Sequence, residues 1–143
     1  MSLMIFNSLF NKTNLPAVMK SLDAGALRSR TISNNIANTT TPGYRRLDVE
    51  FESSLKNALD RNRLQGLRTD SQHMPVGKKR LDEIKPRVYR PNDLSMPSGK
   101  NNVDIDTEMA KLAENQIKYR YGVKFASGAY KSLNAAIKGQ SLR

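Results

Sequence analysis

The hydrophobic positions of this 143-residue chain fall into two long seven-residue patterns, one toward each end, separated by a stretch without a helical period. The C-terminal pattern is the more regular. Steps of four and three from Ile105 pick out Met109, Leu112, Gln116, Tyr119, Val123, Ala126, Tyr130, Leu133 and Ile137, and only Gln116 interrupts the apolar set. A strict seven-residue repeat held over such a length predicts a helix with a left-handed coiled-coil seam. Asp104, Asp106 and Glu108 supply negative charge where that helix should start, and Lys138 and Gly139 suit its end. In the N-terminal pattern Leu15, Val18, Leu22, Ile32 and Ile36 keep the same repeat, with the small residues Gly25 and Ser29 at the intervening steps. Asn14 is placed to cap this helix, and Pro16 is tolerated in its first turn, where its missing N–H has no intrahelical partner.

The N-terminal helix must end after Asn38. Thr39, Thr40 and Thr41 are poor helix formers, Pro42 pushes Thr41 out of the α region, and Gly43 supplies the free φ of a reversal. Beyond the turn, Phe51, Leu55 and Leu59 recur every four residues with Ala58 beside Leu59, and Asp48, Glu50 and Glu52 stand at the start, which predicts a shorter amphipathic helix led by acids. Residues 60–102 carry Pro75, Pro86, Pro91 and Pro97 with Gly66, Gly77 and Gly99. This segment reads as extended, with residues 87–90 as its strand. Residues 1–13 hold Leu3, Met4, Ile5, Phe6, Leu9 and Phe10, too apolar for a purely solvated tail, and read as a contact segment.

The expected fold is therefore all-α: two long terminal helices forming a hairpin-like coiled-coil module, a short helix after the Pro-Gly turn, and an extended, partly β middle segment. Residues 1–59 form the N-terminal half, 60–102 the middle and 103–143 the C-terminal helix, which packs with the first. Composition agrees with a thin, elongated molecule, since hydrophobic residues make up 38% and aromatics 6%, with no Trp to fill a large interior. No stretch of about 18 apolar residues suggests a membrane span. The N-terminus has no basic region or small-residue cleavage site of a secretory leader, so any export is expected to proceed without cleavage.

Charge changes the picture less than its size suggests. Lys and Arg total 24 against 13 Asp and Glu, a formal net charge of +11. The basic residues are spread from Lys12 to Arg143, with one tight run at Lys78, Lys79 and Arg80, whereas a nucleic-acid module concentrates them on one face or interleaves them with stacking aromatics. The charge is assigned to solvated helix faces and acidic partners, and no nucleic-acid binding is expected. No catalytic, cofactor-binding or metal site emerges. The chain lacks Cys and has one His, His73, so thiolate chemistry, histidine-based triads and multi-histidine metal sites are excluded. Asp104, Asp106 and Glu108 resemble the opening of a calcium loop, but Met109 stands where that loop needs Gly and Asn115 where it needs Glu. Gly99-Lys100 lacks the preceding Gly and following Ser or Thr of a phosphate loop.

The order Asn34, Asn35, Ile36, Ala37, Asn38, Thr39, a further Thr, Thr41, Pro42, Gly43, Tyr44, followed by Asp48 and Phe51, resembles the N-terminal signature of bacterial flagellar basal-body rod, hook and hook-filament junction proteins. Residues 70–75, Tyr89-Arg90-Pro91, residues 98–104 and a C-terminal stretch from Val103 to Tyr119 resemble the later landmarks of the proximal rod proteins in that family. The short chain, without a large inserted domain, is also more similar to these than to hook or distal rod proteins. The resemblance implies a non-enzymatic structural subunit of the proximal rod, part of the drive shaft and export channel. It implies export by the flagellar type III apparatus into the periplasm and helical homo-oligomeric assembly through the terminal helices. The partners it implies are other rod proteins and the adaptor joining the rod to the membrane ring. Two readings from other classes stand beside it: a basic helical nucleic-acid-binding protein and a cytoplasmic coiled-coil adaptor.

Overall fold

Gly43 turns the chain after the first helix with φ +71°, in the left-handed region that a residue without Cβ enters at little cost, and the rest of the fold returns along that helix. The computed structural model describes residues 14–60, 81–92 and 101–139. Helix α1 spans Leu15–Ala37, strand β1 Asp48–Glu50, helix α2 Glu52–Leu59, a 3-10 turn Leu81–Glu83, strand β2 Arg87–Tyr89 and helix α3 Ile105–Ile137. The chain is mostly helical. The contact segment expected at residues 1–13, the basic run at 78–80 and the landmarks at 70–75 and 98–100 lie outside the described residues. Among the described residues no helix is long and apolar enough to cross a membrane.

Helices α1 and α3 pack against each other and run antiparallel. Asn35 meets Glu108, Gly25 meets Tyr119 and Asn115, and Leu22 meets Gly122, so that higher numbers on one helix face lower numbers on the other. Beside that contact, Ala24 of α1 packs with Phe51, Ala58 and Ile84 in the small core, and Leu55 and Leu81 border it. Strand β1 pairs antiparallel with β2, Val49 opposite Val88. Lys20 Nζ donates to the Asp82 carbonyl at 3.2 Å, so residues 81–84 of the middle segment fold back onto the module.

Several local expectations are corrected. Asp48 and Glu50 belong to a strand and do not lead the short helix, because β2 offers an edge that pairs their backbone. With α2 starting at Glu52, its inward row is Phe51, Leu55 and Ala58, while Leu59 is 50% exposed. Asn14 stands at the N-cap of α1, yet its side chain makes no capping hydrogen bond. Glu108 is not a solvated first-turn acid but is 2% exposed.

The largest correction concerns the C-terminal seam. On α3 the row facing α1 shares Leu112, Tyr119, Ala126 and Leu133 with the sequence repeat, but its second row is shifted by one residue. Glu108 and Asn115 are buried, and Gly122 and Ala129 partly so, while Ile105, Met109, Val123, Tyr130 and Ile137 are exposed. The reason is steric. A Cβ built on Gly122 would sit 2.9 Å from Leu22 Cδ2, and one on Gly25 3.2 Å from Tyr119 Cδ2, so at these glycines a larger residue would have to displace the side chain that faces it. The bulky row therefore turns outward. On α1, Leu15 and Ile32 are buried and Val18, Leu22 and Ile36 partly buried.

Candidate functional site

Two features stand out as candidate functional surfaces: the amide-rich turn after α1 and the exposed apolar rows of α3. The turn is built from its own side chains. Asn38 closes α1, its backbone N–H reaching the Asn34 carbonyl, and its side-chain Nδ2 donates to the same carbonyl at 2.8 Å and to Asn34 Oδ1 at 3.1 Å. Asn38 Oδ1 accepts from the Thr41 hydroxyl at 3.2 Å, and the Thr39 hydroxyl donates to the Ile36 carbonyl at 2.7 Å. These contacts satisfy carbonyls that a helix end otherwise leaves open. Ala37, Pro42 and Gly43 are exposed, and Pro42 and Gly43 shape the turn.

Asn35, one turn before the end, is 0% exposed and uses all of its hydrogen-bonding capacity. Its Nδ2 donates to the Leu47 carbonyl at 2.8 Å and to Glu108 Oε2 at 2.9 Å. Its Oδ1 accepts from the Leu47 N–H at 2.9 Å and from the Tyr44 hydroxyl at 3.0 Å. One side chain thus joins α1, the returning strand, the turn and α3. Burial pushes the Tyr44 phenol up, and Glu108 adds to that while Arg90 opposes it, so Tyr44 stays a donor. The Glu108 carboxylate is also met by Lys111 Nζ at 3.1 Å, which supplies the countercharge that a buried carboxylate requires.

The chain comes back to this turn just before α3. Asn101 Nδ2 donates to the carbonyls of Asn38, Thr39 (2.8 Å) and Thr41 (3.2 Å), and its Oδ1 accepts from the Val103 N–H. Asn102 Oδ1 accepts from the Arg46 N–H at 2.8 Å. Asp104 then caps α3, accepting from the Asp106 N–H at 3.0 Å and the Thr107 hydroxyl at 2.6 Å, and these hydrogen bonds hold its carboxyl below the usual range. Sequence reasoning singled out Asn34, Asn35 and Asn38, read Glu108 only as a first-turn acid, and assigned no contact to Asn101, Asn102 or Asn115. The available signal was a second Asn-Asn pair set directly before a helix start.

Further along the helix pair, Asn115 Nδ2 donates to the Gly25 carbonyl at 2.9 Å. Beside it Gly25, Ala26, Ser29 and Tyr119 border an open notch of about 320 Å³. On the outer surface of α3 lie Ile105, Met109, Ile117, Tyr121, Val123, Phe125, Tyr130 and Ile137, all well exposed. One helix of a monomer ordinarily shows fewer large apolar side chains to water.

No protein-family model matches the chain. Known proteins do. It is 34% identical over 121 residues to the flagellar basal body rod protein FlgB of Borreliella burgdorferi, covering 82% of this chain and 90% of that protein. It is 32% identical over 132 residues to the FlgB of Bacillus subtilis, covering 92% and 98%. To the FlgB of Salmonella typhimurium it is 32% identical over 128 residues, covering 84% and 89%. With such identity over nearly the full length of proteins from distant bacteria, the chain belongs to the FlgB family of flagellar basal body rod proteins.

Proposed function

We infer that the chain is a structural subunit of the proximal rod of the bacterial flagellum and not an enzyme, and that it assembles through its terminal helices. The observation that carries the assembly step is the outward apolar row of α3: Ile105, Met109, Val123, Tyr130 and Ile137 continue the seven-residue repeat yet are not used against α1. In a helical rod that row packs in coiled-coil fashion against helices of neighbouring subunits. The signature from Asn34 to Tyr44 serves as the clasp that presents α3 at a fixed register to those neighbours. Residues 1–59 and 103–143 act as one helical module, and the middle segment 60–102 adds contacts along the rod. The partners are further copies of this chain, other rod proteins, the adaptor between rod and membrane ring, and the flagellar type III export apparatus that delivers the subunit to the periplasmic space.

The test is a strain lacking the chain. Basal bodies purified from it should show no rod beyond the membrane ring, and the wild-type chain supplied in trans should restore rod and motility. Motile cells without the chain would overturn the reading.

A further inference from the structure

Two exposed patches on α3 are complementary in a way that commits to an occupant. Near the helix start, Ile105 is 48% and Met109 53% exposed, with the exposed Asp106 to one side of them. At mid-helix, Ile117 is 56%, Tyr121 70% and Phe125 59% exposed, bordered by the exposed Lys124. At about 100° per residue the patches lie about 140° apart around the helix, and at 1.5 Å per residue their centres are about 21 Å apart along it. The charge differs in step. All four acids of the helix and its cap, Asp104, Asp106, Glu108 and Glu114, precede Asn115, and only Lys and Arg follow. Glu114 and Lys118 already pair with each other at 2.6 Å, and the exposed Arg120 and Lys124 add positive charge beside the second patch, Lys124 the nearer to its centre line.

Resting on the structural-subunit reading above, we propose that a second copy of this chain docks its Ile105–Met109 patch onto the Ile117–Phe125 patch of its neighbour, with Asp106 of one copy facing Lys124 of the other. A symmetric pairing of either patch with itself would set Asp106 against Asp106 or Lys124 against Lys124, which costs affinity. Because the two patches sit on opposed sides of the helix and at different heights, the unlike pairing leaves one of each free on every dimer. It does not close and so propagates into a filament, with neighbours staggered by about 21 Å along the helix direction. The apolar side chains supply the contact, and the rim pair fixes its direction.

The chain has no Cys, so introduced thiols report on their own. Met109→Cys and Tyr121→Cys placed in one chain lie about 18 Å apart on one helix and cannot bridge within it. In basal bodies purified from cells making this double variant and mildly oxidised, denaturing gels should show dimers and higher multiples of the chain, and each single variant should show monomer. The proposal falls if the double variant stays monomeric, if either single variant yields dimers, or if Tyr121→Cys links to a different protein. If the thiol variants do not assemble, Asp106→Lys and Lys124→Asp decide. Each alone should abolish swimming and the two combined should restore it, and a combination that fails to swim overturns the pairing. Failure of the rod reading is distinct: the wild-type chain would then be missing from purified basal bodies altogether.

Discussion

Asn35 of α1 and Glu108 of α3, 73 positions apart in sequence, meet at 2.9 Å with 0% and 2% of their surface exposed. A neutral amide facing a buried carboxylate is a directional choice, since two apolar residues would bury as well but would not fix the axial position of one helix on the other. Buried polar contacts of this kind are known to set register at some cost in stability. Here Asn115 on the Gly25 carbonyl supplies a second fixed point along the same seam.

Replacing Asn35 by Ala should therefore be among the most destabilising changes in the protein. It strips the buried Glu108 of one partner, at about 1 to 3 kcal/mol, and removes the hydrogen bonds to both backbone groups of the part-buried Leu47. Asn35→Asp should be worse at neutral pH, where two carboxylates would face each other. Thermal unfolding followed by circular dichroism checks both. An Asn35→Ala protein that melts with the wild type would refute the hub.

The shifted seam separates two substitutions that the sequence repeat treats alike. Ala126 is 7% exposed and faces α1, so Ala126→Glu should disrupt the helix pair by several kcal/mol. Val123 is 44% exposed, so Val123→Asp should leave the melting of the isolated subunit within about 1 kcal/mol of wild type while cells carrying it fail to swim. Circular dichroism paired with a motility assay tests this. Equal loss of fold in both would place Val123 in the seam after all.

Glycines on α3 should respond by position. Nothing lies within 4 Å of a Cβ built on Gly128, so Gly128→Ala should stabilise the helix by about 0.5 to 1 kcal/mol. At Gly122 the added carbon meets Leu22 at 2.9 Å, and Gly122→Val should cost about 1 to 3 kcal/mol by pushing Leu22 out of its place in the seam. Urea denaturation of the three proteins gives the order, and a stabilising Gly122→Val would show that the helices do not approach closely there.

How much of this was legible from sequence divides along physical lines. The two long helices, the stop at Asn38 and the turn at Gly43 follow from local rules, and residues 87–89 are a strand as their β-branched and aromatic content suggested. The β1 pairing was not legible, because Asp-Val-Glu has no strand signal until Arg-Val-Tyr lies beside it. The seam phase was hidden for a different reason. A hydrophobic repeat finds the row richest in apolar residues, and on α3 that row points outward, while the row against α1 is recognised by size and hydrogen bonding. Glu108, Asn115 and Gly122 score as polar or as breaks in any such scan. The signature amides were legible as a group, but the role of Asn35 depends on a partner from the other end of the chain.

Acid should loosen the layer over α1. Burial raises the Glu52 carboxyl, but the Arg28 hydrogen bond and charge, with Nη2 at 2.7 Å, outweigh it and hold it below the usual range. A lowered folded-state value means the stabilisation is complete above the ordinary glutamate range and disappears as the pH falls through the folded value. With a carboxylate this exposed the effect is small, well under 1 kcal/mol. The melting temperature should decline on acidification below about pH 4, and Glu52→Gln should flatten part of that decline. An unchanged pH profile in the variant would remove the pair from the account.

The contacts of Asn101, Asn102 and Glu108 with residues 35–46 also impose an order in time. A chain that emerges N-terminus first, from a ribosome or from a narrow conduit, delivers α1 and its turn long before their partners arrive. Until residues 101–108 follow, Asn35 lacks its carboxylate and the end of α1 lacks the amide that covers its carbonyls. Contacts so distant in sequence close slowly and late. The same bonds that lock the finished subunit thus keep the leading half pliable for as long as the chain is still in transit.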